Sequence, residues 1–293
     1  MNYRETIGVP ANAETVEACG GVRLAVHREG SGIPVVCLHA IAHGGGDFES
    51  FAAAFKDSFE IIRVDWPGQG RSGPDLQPPR PARYADLLGE VLGQLGVRAP
   101  IVIGNSIGGA AAIHYASRHP VRALVLCDTG GLVEVNRTAR FFCGVFARFF
   151  AAGERGAWWF KPAFRAYYRF IVLPSPAAAQ QRERIIESGY EQSATMRSAW
   201  EGFGQPEADI RDMACSIPVP VWFAWASRDR VIPLSACMPT IRRMKNAHVT
   251  EFDGGHAAFL EQPEEFTREF RKFVASIELD LTHRAHESAA QAS

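Results

Sequence analysis

The chain lacks the features that would assign it early to several broad classes. No apolar run in its 293 residues approaches the length of about 20 that a membrane-crossing helix needs. No charge of one sign prevails: 31 Lys and Arg stand against 32 Asp and Glu, a formal net charge of −1. Nothing in that balance points to nucleic acid as a partner. The six cysteines, Cys19, Cys37, Cys127, Cys143, Cys215 and Cys237, are scattered and form no CxxC pair. Several sit in apolar runs such as Val35-Val36-Cys37-Leu38, so they read as free buried thiols in a reducing compartment, not as disulfides or zinc ligands. Met1–Gly20 is polar, carries Glu5, Glu14 and Glu17, and has no apolar h-region, so no secretory leader is expected. No internal repeat and no low-complexity linker appears. These absences leave a soluble, cytoplasmic globular protein of one large domain, or one domain with an insertion.

What is present is alternation. Residues 13–38 read as two or three strands separated by Gly20-Gly21 and Gly30-Ser31-Gly32. A helix over Asp47–Lys56, a strand over Phe59–Val64 and a turn-rich loop, Pro67–Pro74, follow. Then come a helix near Arg83–Leu95, a strand over Ile101–Ile103, a helix to about Arg118 and a strand over Val121–Cys127. Strands alternating with helices at this spacing predict a mostly parallel α/β sheet, whose ligands bind beyond the carboxyl ends of its strands. From about Gly131 to Ile217 only helices are expected, and alternation resumes with Val219–Trp225. A strand near Val249–Phe252 and a helix from about Glu264 to Ile277 follow. The last residues, rich in Ala, Ser and His, read as a frayed tail.

Within that frame, Ile101-Val102-Ile103-Gly104-Asn105-Ser106-Ile107-Gly108-Gly109 feeds a β-branched run into Gly-x-Ser-x-Gly and then into small helix-compatible residues. The two glycines remove Cβ atoms where backbone crosses backbone, and the corner exposes the serine hydroxyl. A serine needs a base, and the base needs a partner that fixes its tautomer. Phe252-Asp253-Gly254-Gly255-His256 supplies an imidazole on a Gly-rich loop. Trp225-Ala226-Ser227-Arg228-Asp229 supplies a carboxylate just past another strand. Asp128 also follows a strand and competes for that role. Asp65 is expected to anchor the loop 66–73.

In these pieces, taken in order, the chain resembles the cap-bearing α/β-hydrolases from about residue 20 to 277. The pieces are Leu38-His39, Asp65-Trp66-Pro67-Gly68-Gln69-Gly70-Arg71-Ser72, the Ser106 corner, Asp229 with Pro233 four residues on, and Gly255-His256. The resemblance implies a mostly parallel eight-stranded sheet flanked by helices, with a helical cap inserted after the sixth strand. Residues 1–130 and 218–280 would form the two parts of the core, 131–217 the cap, and 281–293 a disordered tail. It also implies Ser106 as nucleophile, His256 as general base and then acid, and Asp229 as the orienting carboxylate. The N–H groups of Ile41 and Ile107 would form the oxyanion hole. Two positions depart from the family pattern: Ala40 and Ala226 stand where glycine is usual, which a negative φ accommodates. His43-Gly44-Gly45-Gly46 resembles the oxyanion motif of another esterase branch but lies too far from the strand end. His39 is expected to brace the oxyanion loop.

The aromatic stripe Phe141, Phe142, Val145, Phe146, Phe149 and Phe150, continued by Trp158, Trp159, Phe160, Phe164, Tyr167 and Tyr168, has packing of cap on sheet as its default meaning. Part of it should line the pocket, and His43, Phe142, Phe146 and Trp159 are the expected substrate contacts. Arg137, Arg140, Arg148, Arg155, Lys161, Arg165 and Arg169 face only Glu134 and Glu154 there. That excess suits an anionic as well as an apolar substrate, and such helices also lie on anionic lipid. No stable membrane insertion, no cofactor and no metal are expected; oligomeric state stays open, a homodimer included. Because the nucleophile is a serine, ester hydrolysis through an acyl-enzyme is the first expectation. Carbon–carbon cleavage of a meta-cleavage-type diketone acid is second, from Gly104-Asn105-Ser106 with Gly108-Gly109 and from Gly130-Gly131. A non-catalytic small-molecule binding module on the same scaffold is the alternative from another class.

Overall fold

The computed structural model describes residues 14–291, with side chains described to Ile277; the first part of the polar Met1–Gly20 stretch lies outside it. Three strands open the chain: β1 (Glu14–Ala18), β2 (Val22–Glu29) and β3 (Ile33–Leu38). Glycine is required at the second turn. Gly30 has φ +81°, and a Cβ there would lie 2.2 Å from the carbonyl oxygens of Lys56 and Phe59. Then follow α1 (Glu49–Phe55), β4 (Phe59–Val64), α2 (Pro81–Gln94), β5 (Ile101–Asn105), α3 (Ile107–Ala116) and β6 (Ala123–Cys127). Pro81 opens α2 at a position where a missing N–H costs nothing, and Tyr84, Leu87, Leu88, Val91 and Leu92 recur on its buried face.

The eight strands, including β7 (Val221–Ala226) and β8 (Ala247–Phe252), form one sheet in the order β1-β2-β4-β3-β5-β6-β7-β8. Pairing is antiparallel for β1·β2 and β2·β4 and parallel for the rest. The central strands β5, β6 and β7 are buried at every position, as strands covered on both faces must be. This is the α/β architecture the alternation predicts.

Between β6 and β7 the chain is helical: α4 (Arg137–Glu154), α5 (Phe160–Tyr167) continued by a π turn (Tyr168–Val172), α6 (Ala179–Glu187), α7 (Ser193–Phe203) and α8 (Arg211–Cys215). Asn136 caps α4 by accepting from Ala139 N at 3.0 Å, and Ser175 accepts from Ala177 N in the turn that Pro176 opens. Phe150, Phe160 and Phe164 are the inward part of the aromatic stripe and are buried. The insertion is tied to the core by polar contacts: Gln192 Nε2 donates to Gly68 O, Arg80 Nη1 to Ser198 O, and Gln181 Nε2 to Asp47 Oδ1.

The chain ends with α9 (Leu234–Ile241), α10 (Ala258–Glu261) and α11 (Pro263–Gln291). The last helix passes the Ile277 at which the sequence reading stops it, and its backbone stays helical through 281–291, the stretch assigned to a disordered tail. No glycine or proline interrupts that stretch, so no stop signal is present.

Candidate active site

β5 delivers the serine. Ser106 stands between strand and α3 with φ +55° and ψ −116°, a strained conformation for a residue with a Cβ. The crossing is as tight as two glycines allow. A Cβ on Gly104 would lie 2.5 Å from Gly108 O, and one on Gly108 2.4 Å from Leu38 O in the neighbouring strand. The turn sets Ile107 N at the start of α3, where helix N–H groups have no partner within the helix. Among the described residues, neither Ile107 N nor Ile41 N donates to a protein acceptor.

His256 follows β8 on its Gly-rich loop, and Asp229 follows β7. His256 Nδ1 and Asp229 Oδ2 are 2.9 Å apart. Asp229 Oδ1 accepts from Val231 N at 2.7 Å and Ile232 N at 2.9 Å, which aims its other oxygen at the ring. In the neutral ring Nδ1, which faces a carboxylate, carries the proton, and Nε2 is left to accept. Two residues outside the sequence expectation hold the histidine loop. Asn105 Nδ2 donates to His256 O at 3.0 Å, tying the loop to the serine strand. Glu261 Oε2 accepts from Gly255 N and His256 N at 2.6 and 3.1 Å, and its Oε1 accepts from Ser175 N of the insertion.

Asp128 occupies a different position. With φ +46° it turns back under the histidine, where Oδ1 accepts from Ala226 N at 2.8 Å and Oδ2 from Ala258 N at 3.4 Å. Asp128, Asp229 and His256 each present an atom within 4.8 Å of the others, so this set has donors for a cation. Three of the four carboxylate oxygens already accept from backbone N–H, and the fourth meets His256. The cluster reads as a hydrogen-bonded carboxylate–imidazole group. Burial first, and then the Asp229 charge, push the Asp128 carboxyl well above the usual range. For His256, burial opposes the charged ring. Asp229, by charge and by hydrogen bond, followed by Asp128 and Glu261, outweighs it and raises the pKa to about 9.

The loops beyond β3 and β4 are braced by buried polar side chains. His39 Nε2 accepts from Trp66 N at 2.9 Å while its Nδ1 faces Ala40 O at 2.6 Å, and burial holds its pKa down to about 4. Asp65 accepts from Gly45 N and Arg71 N, so it anchors the following loop, and Gly45 N is taken. That removes Gly45 as an oxyanion donor. Neither Ala40 nor Ala226 has positive φ. His43 is held between Asp47 Oδ2 at Nδ1, 2.6 Å, and Tyr168 OH at Nε2, 3.2 Å.

Ser106, His256, Ile41, Ile107, His43, Phe142 and Phe146 all line one cavity of about 580 Å³ between sheet and insertion. Asp229 reaches it through the imidazole. Trp159 does not line it: the cavity-facing row of α4 is Phe142 and Phe146, and Trp159 packs on Phe149, a turn further along, at 6.1 Å. Sequence reasoning missed Met196, Trp200 and Phe203 on α7, and Arg230 beside Asp229. The α7 spacing was visible but carries the same signal as ordinary core packing.

A mostly parallel sheet with a serine at its central strand-to-helix corner, and a carboxylate-bound imidazole on the same cavity, defines the α/β-hydrolase class. The chain belongs to the α/β hydrolase family, whose model matches residues 35–269. It is 29% identical over 262 residues to a pimeloyl-[acyl-carrier protein] methyl ester esterase of Chromobacterium violaceum, covering 84% of this chain and 96% of that one. It is 27% identical over 283 residues to a 2-hydroxymuconate semialdehyde hydrolase of Pseudomonas putida, covering 90% and 94%. An esterase structure from Thermogutta terrifontis superposes with a TM-score of 0.75 at 21% identity, covering 91% and 99%, and so shares the fold.

Proposed function

We propose that this protein is a serine hydrolase that cleaves esters of small to medium apolar substrates through an acyl-enzyme, with residues 131–217 as its cap. The observation that carries the reading is the His256 ring, anchored by Asp229 on the wall of the cavity that Ser106 also lines. In this reading Ser106 Oγ attacks the ester carbonyl carbon while His256 Nε2 takes the hydroxyl proton. The N–H groups of Ile41 and Ile107, which donate to no protein acceptor among the described residues, receive the developing oxyanion. Collapse of the tetrahedral intermediate breaks the ester C–O bond, and His256 returns the proton to the departing alcohol. Water then attacks the acyl-enzyme with His256 again as base, releasing the acid and restoring Ser106. Asp229 fixes the tautomer and stabilises the imidazolium. The named substrate of the Chromobacterium relative, a methyl ester, falls in the same reaction class. The free cysteines Cys37, Cys127, Cys143 and Cys237, all buried, fit a reducing cytoplasmic setting.

Burst release of p-nitrophenol from p-nitrophenyl acetate, with one equivalent per chain, is the expected behaviour. Ser106→Ala should abolish the burst and lower turnover by about six orders of magnitude. A wild-type protein that binds apolar esters without turnover, and resists fluorophosphonate labelling at Ser106, would leave the scaffold as a binding module.

Carbon–carbon cleavage of a vinylogous diketone acid is the second reading. Arg230 favours it: this exposed guanidinium lines the cavity and has no ion-pair partner among the described residues, which suits a substrate carboxylate. The Pseudomonas relative is named a 2-hydroxymuconate semialdehyde hydrolase. A dienoic ring-fission acid assayed beside a series of esters separates the two.

A further inference from the structure

Of the eight large hydrophobic side chains exposed among the described residues, seven lie between 141 and 190, in the insertion. Trp158 is 84% exposed, Phe170 68% and Phe141 65%, in a molecule whose other aromatic rings are mostly enclosed. They are not scattered. On α4 the exposed positions Arg137, Phe141, Val145 and Arg148 follow helical spacing and share one face. α4 and α5 run antiparallel: Phe149 meets Trp159 at 6.1 Å and Phe146 meets Tyr167 at 5.5 Å. Phe170 follows in the π turn just beyond Tyr167, and Phe142 lines the cavity. The exposed rings therefore stand on α4, at Phe141 and Phe142, and on the antiparallel stretch packed beside it, at Trp158, Trp159 and Phe170, and form one aromatic ridge.

Cations surround it. Arg137, Arg140, Arg148, Arg155 and Arg169 are exposed, and among the described residues no carboxylate comes within ion-pair distance of any of them. Elsewhere on the insertion such charges are paired, as Lys161 is with Glu187 and Arg165 with Glu183. An apolar ridge with an unpaired arginine border matches one kind of surface, an anionic bilayer, in which rings enter the acyl boundary while guanidinium groups meet headgroup phosphates. A surface of acidic groups alone would satisfy the arginines and leave the indole and phenyl rings in water. A second copy joined about a two-fold axis would set arginines against arginines.

We infer that the outer face of α4 and α5 is a peripheral docking surface for anionic membrane lipid, with the cavity opening beside the headgroups. This adsorption does not depend on what Ser106 does, so the two readings fail separately. The test is sedimentation of the full chain with vesicles of pure phosphatidylcholine and of phosphatidylcholine containing phosphatidylglycerol. The wild type should sediment with the anionic vesicles only, and less as salt is raised. Phe141→Ser with Trp158→Ser, and separately Arg137→Glu with Arg148→Glu, should each weaken vesicle binding by about tenfold or more. Turnover of soluble p-nitrophenyl acetate should be unchanged in both. No binding to anionic vesicles, equal binding to neutral ones, or retention of binding in both variants would overturn the inference. So would a dimer in analytical ultracentrifugation that the same substitutions dissolve, or capture of an acidic carrier protein in place of vesicles. Because the salt and lipid dependence are read on the wild type, a variant that fails to fold still leaves the inference open to refutation.

Discussion

His256 is enclosed by three carboxyl groups with different tasks. Asp229 bonds the ring, Asp128 lies beneath it, and Glu261 grips its backbone. With the pKa raised to about 9, the neutral ring that accepts a proton gains population as pH rises. The pH profile of kcat/KM for a neutral ester should therefore climb from neutrality toward an inflection near 9. Asp229→Asn should lower kcat by about four orders of magnitude, since it removes the anion that orients the ring. Asp128→Asn should leave most of the activity and shift the inflection downward. Equal losses from both would reassign the orienting role. The same shift bears on stability. A histidine whose folded pKa lies above its ordinary 6.5 contributes stability that is complete below about 6.5 and is lost as pH rises through about 9. Ser106, His256 and Asp229 were legible because each stands in a short motif beyond a readable strand. Asn105 and Glu261 were not. Their contacts cross 151 positions and one short helix respectively, and a lone Asn or Glu carries no sign of such a bond.

Strands and helices were easier to read than the use made of their faces. β5, β6 and β7 are continuous apolar runs, and the apolar spacing of α2 has one meaning. α4 is harder, because its rings point three ways: Phe150 inward, Phe146 into the cavity and Phe141 to solvent. Periodicity gives a face but not what the face meets, which is why Trp159 was expected at the cavity and packs elsewhere. α7 forms the opposing wall, with Trp200 stacked on Phe146 at 4.3 Å. Removing that indole should lengthen the cavity. Trp200→Ala should raise kcat/KM for long acyl esters relative to acetate by about tenfold, read from a chain-length series. An unchanged preference would mean that the acyl group occupies another branch.

At the scale of the molecule, core and insertion share their polar anchors. Glu261 is the strongest, since one carboxylate accepts backbone N–H groups from the histidine loop and from Ser175. Glu261→Gln replaces one acceptor oxygen with a donor that faces an N–H. It should cost about 2–3 kcal/mol in urea unfolding and lower kcat more than it raises KM. A loss of stability with full turnover would show that the histidine loop holds its shape unaided.

Gly255 sits so close to the insertion that a Cβ would lie 2.4 Å from Pro174 Cδ and 2.6 Å from Val172 O. Backbone that tight leaves no slot for even a methyl group, so the insertion's corner and the loop carrying the imidazole meet along one closed seam. Gly255→Ala would wedge that seam apart and shift the histidine along with it.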